Sequence, residues 1–424
     1  MDTIFALSSG APPAAIAVVR VSGPRASAAL EHLCGRLPAP RQAHLARLNA
    51  ADGTLLDQAL VLWFPGPASE TGEDCAELQL HGGRAVVDAV YAELGRIDGM
   101  RLAEPGEFTR RAFANGKIDL LQVEGLADLV SSETELQRRA ALGIAGGSLS
   151  RRTEGWRERL LALSARVEAA LDFEDEDDVE RLDARFGGDL VALAGDIRQA
   201  LDAPRAETLR EGYRVALAGP PNAGKSTLFN VLVESEAAIT APLAGTTRDV
   251  LVRHVAIGGA PFTFVDMAGL RDESGDVVET IGIARAREEI AAADCVLWLG
   301  PEGEGPESAW EIEAQCDRDE HARKTRPAFR LSAVTGEGLD ALKQALVEQA
   351  RSAMPKPGEA ALSRRQRELI GAVLDALEGA EAQGDPLLVA EQLRRARLAF
   401  DRLVGRAATE DMLDALFGRF CIGK

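Results

Sequence analysis

Three short runs of apolar or alternating residues, bounded by glycine and proline, mark the first part of this chain. They are Ile16–Val21, Leu60–Phe64 and Cys75–Leu80. Runs of this kind are typical of buried or half-buried strands, and helical stretches separate them. Residues 1–117 are therefore predicted to form a small α+β domain.

The pattern then becomes helical. One buried helix face is indicated by apolar residues that recur at spacings of three and four: Trp156, Leu160, Leu163, Val167 and Leu171. After the helix breaker Pro355-Lys356-Pro357 the same period returns, at Leu362, Leu369, Val373 and Leu377. Two helical regions are thus predicted, one on each side of a different kind of segment.

The intervening residues 212–354 mix strand-like and helix-like segments, which predicts an α/β domain with a mainly parallel sheet. We expect this domain to be inserted into a discontinuous helical domain made of residues 118–211 and 355–424. Such insertions are physically easy where domain termini lie close together. Periodicity alone leaves two separate helical domains as an alternative. The predicted fold class is multidomain, α/β and α.

Composition is that of a soluble globular protein, with 46% hydrophobic and 27% charged residues. The first residues carry an acid where a signal peptide needs basic residues, and no apolar stretch approaches the roughly 18 residues that span a bilayer. We therefore expect a cytoplasmic protein that does not bind membranes. The net charge of −19 argues against indiscriminate binding to nucleic acid. The five cysteines form no CxxC pair, so neither a zinc site nor a disulfide framework is indicated.

The strongest chemical signal is the segment Gly219–Thr227, which reads Gly-Pro-Pro-Asn-Ala-Gly-Lys-Ser-Thr and is called the phosphate loop below. Its glycines and Lys-Ser pair have the spacing that lets backbone amides surround nucleotide phosphates. An apolar strand is predicted before it and a helix after it, so the helix dipole would favour an anion there. Lys225 is expected to reach the β and γ phosphates, and Ser226 to hold Mg²⁺.

Two further segments follow in the order that a GTPase needs. Ala244–Asp249 resembles a first switch, in which Thr247 would complete the Mg²⁺ shell. A predicted strand then leads into Asp266-Met267-Ala268-Gly269, a DxxG sequence. Asp266 is expected near the metal and the Gly269 amide near the γ-phosphate.

The guanine-reading NKxD sequence is missing. Its best match is Ala314-Gln315-Cys316-Asp317, called the base-reading loop below, in which Asp317 would accept the two guanine donors. Ala314 and Gln315 are expected to lose the bracing and packing that Asn and Lys supply elsewhere, and Asp319 is a rival for the acceptor. Leu331-Ser332-Ala333 is expected to complete the base edge. We therefore predict guanine rather than adenine, with loosened affinity or selectivity.

The residue after the DxxG sequence is Leu270, which cannot orient water as the Gln of signalling GTPases does. Hydrolysis must use another acid, another chain or an ion. Nearby acids that are candidates for this role are Asp272, Glu273, Asp276 and Glu279.

Several separated segments together resemble one family, the tRNA-modifying GTPases MnmE, also called TrmE. The segments are Asp2–Ile4, Val19–Gly23, Glu77–Gly83, Pro105–Phe113, Gly116–Leu120 and Phe420–Lys424, the last of which reads Phe-Cys-Ile-Gly-Lys. The resemblance spans nearly the whole chain.

The resemblance implies an N-terminal domain that binds folate and dimerises. Four residues would contact 5-formyl- or 5,10-methylene-tetrahydrofolate: Arg20, Glu77, Lys117 and Lys424. A folate offers an acidic tail to Arg and Lys, and an amide edge that a Glu can bind with two hydrogen bonds. Cys421 could be a nucleophile or, as is commoner for a lone thiol, simply packed.

The resemblance also implies a potassium-dependent GTPase. Potassium would be bound by Asn222, Ala241, Leu243 and Thr246, and Ala241-Pro242 stands where the family has Thr-Asp. Glu279 aligns with the acid that positions the attacking water. The implied GTP-binding residues are Asn222, Ala223, Gly224, Lys225, Ser226, Thr227, Ala241, Pro242, Leu243, Ala244, Gly245, Thr246, Thr247, Asp266, Met267, Ala268, Gly269, Asp317, Ser332 and Ala333.

As partners, the resemblance implies a second copy of the chain, tRNA, and a flavin-containing MnmG-like subunit that completes a heterotetramer. The expected product is a carboxymethylaminomethyl-type modification of the wobble uridine in certain tRNAs. One alternative is a regulatory GTPase switch in ribosome or RNA assembly, without modification chemistry. Another is a folate-dependent one-carbon transferase that acts alone, with a regulatory nucleotide domain.

Overall fold

The computed structural model describes residues 2–172, 184–202, 206–234, 251–267, 288–321, 323–355 and 361–424. Two compact units make up the chain. The first consists of Met1–Ala127 together with Asp401–Lys424, and the second is Asp128–Phe400. Each unit has its own sheet and its own apolar core.

A six-stranded sheet of order β3-β4-β5-β2-β1-β6 forms the first unit. Its strands are β1 (Thr3–Leu7), β2 (Ile16–Ser22), β3 (His44–Asn49), β4 (Leu55–Phe64), β5 (Cys75–His81) and β6 (Met100–Leu102). Neighbouring strands are antiparallel except β1 and β6, which are parallel. The three predicted strands lie within β2, β4 and β5, so this prediction is confirmed.

Alternation along the strands decides which side chains form the core. Val19 of β2 and Leu78 of β5 are at most 1% exposed and pack with α1 (Ala26–Cys34) and α2 (Arg84–Leu94). Because successive side chains point to opposite faces, Arg20 and Glu77 lie on the other face. The two are direct partners in the β2–β5 register.

The second unit contains a six-stranded sheet of order β12-β11-β10-β7-β9-β8. Its strands are β7 (Tyr213–Ala218), β8 (Leu251–Ile257), β9 (Ala260–Asp266), β10 (Cys295–Trp298), β11 (Trp310–Glu313) and β12 (Phe329–Arg330). The β8–β9 hairpin is antiparallel, and the other neighbouring pairs are parallel. The prediction of a mainly parallel sheet is confirmed.

The remaining helices complete both units. They are α3 (Glu107–Ala114), α4 (Leu120–Val130), α5 (Glu135–Ala145), α6 (Ser148–Asp172), α7 (Ala184–Leu201), α8 (Ala206–Glu211), α9 (Lys225–Glu234), α10 (Leu339–Ala353), α11 (Arg364–Glu381), α12 (Pro386–Val404) and α13 (Glu410–Phe417). In the part of the chain that the structure describes, no helix is long and apolar enough to cross a bilayer.

Helices from before and after the nucleotide segment pack against each other. The Trp156 ring of α6 stacks on Phe400 of α12, with ring centroids 6.3 Å apart. Arg198 of α7 forms an ion pair with Glu378 of α11 at 2.5 Å. The predicted buried face of α6 is confirmed, because Leu160 and Val167 are fully buried. Helices from the two sides of the nucleotide segment therefore pack together within the second unit. The predicted fold class, multidomain with α/β and α parts, is confirmed.

Short connections replace the usual crossover helices beside β11. Parallel strands are normally joined by a helix, but residues 299–309 and the described residues of 314–328 are not helical. Glu313 of β11 is covered instead by His321 and Lys324 of the second connection. His321 Nε2 lies 2.9 Å from Glu313 Oε1, and the Lys324 amide donates to Oε2 at 3.1 Å. This charged layer fixes the strand end from which the base-reading loop starts.

Candidate functional site

The phosphate loop joins the buried strand β7 to helix α9, as predicted. Gly219 has a φ of +148°, and a Cβ at this position would lie 3.0 Å from the Gly300 amide nitrogen. Gly224 has a φ of +92°, another conformation that side chains rarely adopt. The loop therefore needs its glycines both for backbone conformation and for room.

Lys225 lies at the first turn of α9 and is only 7% exposed. Its ammonium donates to the carbonyl oxygens of Gly219 and Pro220, at 3.0 and 2.8 Å. These bonds hold a positive charge inside the loop at the end of a helix that itself favours anions. Ser226 and Thr227 are exposed on the same turn. The arrangement suits polyphosphate binding.

Asp266 ends β9 and is 1% exposed. Strands β7 and β9 are parallel, with Leu217 opposite Asp266, so the carboxylate and the phosphate loop lie at the same edge of the sheet. Hydroxyl and carboxylate oxygens are the hard ligands that Mg²⁺ takes. Ser226 and Asp266 thus have the donor chemistry for that ion. Met267 follows and is also buried.

The base-reading loop meets the second predicted base segment. The Cys316 amide donates to the Leu331 carbonyl at 3.2 Å. A hydrogen bond with the Ser332 side chain holds the pKa of Asp317 below its ordinary value. Ser332 Oγ also accepts the Val334 and Thr335 amides, at 3.2 and 3.1 Å, which fixes its position. Asp317 is therefore joined to the Ser332-Ala333 segment, and this contact favours it over Asp319 as the acceptor.

The Gln315 side chain reaches from this loop to the phosphate loop. Gln315 Nε2 donates to the Asn222 carbonyl at 3.1 Å. A Gln carries a donor on a chain long enough to reach this carbonyl, so the contact is made without the cation. Residue type alone could not reveal the contact, because it depends on how the two loops meet.

Many predicted site residues lie outside the described part of the chain. These are Ala241, Pro242, Leu243, Ala244, Gly245, Thr246, Thr247, Ala268, Gly269 and Glu279. Of the predicted potassium ligands, the structure therefore describes Asn222. Of the predicted Mg²⁺ ligands, it describes Ser226. Asn222 is exposed on the phosphate loop.

The β8–β9 hairpin links this site to helix α5 of the second unit. Asp266 lies at one end of the hairpin, and Gly258-Gly259 form the turn at the other. Arg351 donates to the Gly258 carbonyl at 2.9 Å, and the Leu136 amide of α5 donates to the Gly259 carbonyl at 3.5 Å. A cavity of about 380 Å³ beside the turn is lined by these residues and by Glu135, Arg139, Met354 and Pro355. The hairpin is a continuous connection from Asp266 to helix α5.

In the first unit, Arg20 and Glu77 form an ion pair. Arg20 Nη2 lies 2.9 Å from Glu77 Oε1, and Arg20 Nη1 lies 2.5 Å from Glu70 Oε2. The guanidinium also lies over the Phe108 ring, 5.9 Å from its centroid. A guanidinium, a carboxylate and an aromatic ring are the groups that a pterin with an acidic tail requires. Lys117 donates from its ammonium to the Pro67 carbonyl at 3.0 Å.

The segment Phe420–Lys424, called the CIGK segment below, docks on the same unit. Ile422 forms a β-bridge with Pro105, and Ser8 Oγ donates to the Gly423 carbonyl at 2.7 Å. Gly423 has a φ of +102°, and a Cβ there would lie 1.9 Å from the Leu7 carbonyl oxygen. Only glycine fits, so this contact fixes where Lys424 begins. All four predicted folate residues belong to this unit.

The cysteines are free thiols in different surroundings. Burial raises the pKa of the Cys295 thiol to about 12. Burial also raises the pKa of the Cys34 thiol to about 11, although the charge of Arg36 lowers it by a smaller amount. Such thiols are unreactive at neutral pH. Cys75 is buried and Cys421 is exposed on the CIGK segment.

Two family models match the chain. The one described as the MnmE helical domain matches residues 120–421. The one described as the GTP-binding protein TrmE N-terminus matches residues 3–117.

Full-length relatives agree with these matches. The tRNA modification GTPase MnmE of Novosphingobium aromaticivorans is 61% identical over 435 residues, with 100% of both chains covered. The protein of the same name from Erythrobacter litoralis is 60% identical over 424 residues, again with 100% of both chains covered. Among solved structures, the G domain of the T. maritima FeoB iron transporter is 27% identical. The match covers 32% of this chain and 98% of the FeoB G domain. Its TM-score is 0.24, which is too low for a comparison of the folds. The helical-domain match spans more than half of the chain and both relatives match along its whole length, so the chain belongs to the MnmE family of tRNA modification GTPases.

Proposed function

We propose that this protein hydrolyses GTP at the edge of the second unit's sheet and uses the resulting rearrangement in tRNA modification. The observation that carries the proposal is the meeting of the phosphate loop, Asp266 and the base-reading loop at one sheet edge. Loops at the carboxyl ends of parallel strands are where nucleotides bind in open α/β sheets. The family membership favours GTP over ATP.

Each described residue has a distinct task in this proposal. Lys225 binds phosphate oxygens with an ammonium that the loop carbonyls already orient. Ser226 and Thr247 would hold Mg²⁺ with Asp266 near it, and the bound ion would supply positive charge against the phosphates. Asp317 accepts the two guanine donors, and its hydrogen bond with Ser332 keeps it in place.

Potassium is proposed to be held by Asn222, Ala241, Leu243 and Thr246. When bound, this ion supplies the charge that an arginine supplies in other GTPases. Glu279 is proposed to accept hydrogen bonds from the attacking water, because Leu270 cannot. We also propose that two copies of the chain bring their nucleotide domains together to complete the site.

The first unit is proposed to bind a reduced folate. Arg20 attracts the acidic tail of the folate and holds Glu77, which binds the pterin amide edge. Lys117 and Lys424 add positive charge. A bound 5-formyl- or 5,10-methylene-tetrahydrofolate would supply a one-carbon unit for the wobble uridine. The proposed partners are tRNA and a flavin-containing MnmG-like subunit. The domain bounds 1–117, 118–211, 212–354 and 355–424, and a cytoplasmic location, belong to the same proposal.

Calorimetry with two variants tests the two sites independently. Lys225→Ala should weaken GDP binding by at least a hundredfold and leave folate binding unchanged, because it removes a charge-assisted contact with phosphate. Arg20→Ala should do the reverse, so each variant controls for the folding of the other. ADP that bound wild-type protein as tightly as GDP would contradict the assignment of the base-reading loop.

Turnover assays test the remaining parts. GTP hydrolysis should be fast in potassium and slow in sodium, and equal rates would remove the ion from the mechanism. Modification of tRNA should require added flavin-containing partner. Full modification by the purified chain alone would instead support the transferase alternative.

A further inference from the structure

We propose that Glu70 determines which ligands bind to Arg20 in the first unit. Its carboxylate occupies the Arg20 guanidinium, and the acid group of a ligand must displace it in order to bind. This inference rests on the proposed function and deepens it, because it concerns ligand selection at the proposed folate site. Glu70 lies outside the four folate residues expected from the sequence.

The Arg20 guanidinium is already paired at both ends. Its Nε and Nη2 atoms donate to Glu77 Oε1, at 3.1 and 2.9 Å. The remaining nitrogen, Nη1, lies 2.5 Å from Glu70 Oε2. The Phe108 ring covers one face of the group, with its centroid 5.9 Å from Arg20 Cζ. Because a guanidinium presents its donors in one plane, the acid group of a ligand has to approach the Nη1 end, where Glu70 lies.

The two carboxylates are held with different firmness. Glu77 belongs to β5, directly opposite Arg20 in the sheet register, and its side chain is 22% exposed. Glu70 lies on the loop between β4 and β5, and its side chain is 60% exposed. An ion pair with such an exposed partner contributes little to stability. Glu70 is therefore the partner that a ligand replaces, while Glu77 stays in place.

The loop on either side of Glu70 is fixed. The preceding Ser69 is 7% exposed and the following Thr71 is fully buried. Thr71 Oγ1 lies 2.7 Å from Ser22 Oγ, and the Thr71 carbonyl accepts a hydrogen bond from Asn115 Nδ2 at 2.8 Å. The exchange of Glu70 for a ligand therefore requires a movement of one side chain into solvent, and the loop backbone stays where it is.

The same loop also contacts the second predicted folate cation, but without neutralising it. The Lys117 ammonium donates to the Pro67 carbonyl at 3.0 Å. A carbonyl oxygen carries no net charge, so Lys117 keeps its positive charge for a ligand. Arg20 differs, because two carboxylates contact it and together leave an excess of negative charge. Glu70 thus masks one predicted folate cation and not the other.

This masking has a consequence for ligand selection. Every acid that binds Arg20 must displace Glu70 and approach its negative charge. A small anion has no other contact that offsets this cost. A folate also binds Glu77 through its pterin edge, and this second contact offsets the displacement. The Arg20 site is therefore closed to small anions and open to a folate.

The main test compares two ligands that differ only in the charge of the tail. They are 5-formyl-tetrahydrofolate and its diamide, in which both tail carboxylates are carboxamides. Glu70→Gln keeps the size of the side chain and removes its charge, and Glu70→Ala removes the whole carboxylate group. Glu31→Gln, on helix α1 at the opposite face of the sheet, controls for the loss of one negative charge. Dissociation constants are measured by isothermal titration calorimetry.

We expect Glu70→Gln and Glu70→Ala to tighten the binding of 5-formyl-tetrahydrofolate about two- to fivefold, which is the range for an ion pair of this exposure. The diamide should bind the wild type and both variants with nearly the same affinity, because its tail carries no charge for Arg20 to attract. Glu31→Gln should leave the affinities for both ligands unchanged.

A second titration tests the exclusion of small anions. The binding of 5-formyl-tetrahydrofolate is measured in sodium sulfate and in sodium chloride of equal ionic strength. Sulfate should weaken folate binding to the two Glu70 variants, because it competes for the uncovered Arg20 guanidinium. In the wild type the two salts should have the same effect.

Three results would overturn the inference. They are unchanged folate affinity in both Glu70 variants, equal tightening for the folate and its diamide, and sulfate competition as strong in the wild type as in the variants. A wild-type protein that binds neither ligand would instead refute the folate site of the proposed function. The two failures are distinguishable, because the first leaves wild-type folate binding intact and the second removes it.

Discussion

Replacing Gly423 by Ala should detach the CIGK segment from the first unit. The new Cβ would lie 1.9 Å from the Leu7 carbonyl oxygen, a distance at which atoms cannot remain. The φ of +102° is unfavourable for alanine as well. Because the obstructing atom belongs to the backbone of a central strand, the segment must move rather than the sheet.

The size of the effect follows from the interactions that detachment breaks. The 2.7 Å hydrogen bond from Ser8 is worth about 1 kcal/mol. The bridge between Pro105 and Ile422 is worth a similar amount. If Phe420, which is 6% exposed, leaves its apolar cluster too, a further ~2 kcal/mol is lost. The expected total is about 2 to 4 kcal/mol, which lowers the melting temperature by roughly 4 to 16 °C.

Three measurements check this prediction. Hydrogen exchange should show that the Ile422 amide loses its protection. Differential scanning calorimetry should show the lower melting temperature, and titration with folate should show about tenfold weaker binding. Lys424→Met should weaken folate binding by a similar factor but leave the melting temperature unchanged, because it removes a charge without detaching the CIGK segment. Gly10→Ala, where a Cβ would meet nothing within 4 Å, is the matched control. A Gly423→Ala protein with wild-type melting temperature and folate affinity would refute the reasoning.

Two further predictions concern the second unit. Burial alone would raise the pKa of Glu313, but hydrogen bonds from His321 and the Lys324 amide outweigh it and lower the pKa. The stability this carboxylate contributes is therefore complete above its unfolded pKa of about 4.3 and is lost as pH falls through the lower folded value. Glu313→Gln should cost about 3 kcal/mol at pH 7 and flatten this acid dependence in denaturant titrations; an unchanged acid slope would contradict it. Gly258→Ala should destabilise the hairpin turn by about 1 to 2 kcal/mol, because φ is +56° and Val347 Cγ2 would lie 3.1 Å from the new Cβ. Gly371→Ala, inside α11 with nothing within 4 Å, should instead stabilise by up to about 1 kcal/mol, and equal melting shifts in both variants would argue against the turn strain.

Sequence patterns predicted much of the fold because they report local physics. Period-two alternation identified β2, and spacings of three and four identified the buried face of α6. The phosphate loop could be found because its function needs glycines and a Lys-Ser pair at fixed spacing. The pattern after Pro357 was less accurate. Leu362 lies before α11 begins, and the buried residues of that helix include Ile370 and Gln366.

What the sequence by itself determined was the chemistry of the nucleotide site and the kinds of domain that carry it. Phosphate binding depends on residue types at short, fixed separations, and these can be read directly from the sequence. Only the tertiary structure decided that Gln315 reaches Asn222, that His321 and Lys324 cover Glu313, and that Gly423 must be glycine because Leu7 lies beside it. Each of these contacts joins segments whose approach is set by the packing of whole elements. Side-chain identity therefore determines what a residue is able to bind, and the fold determines which partner it contacts.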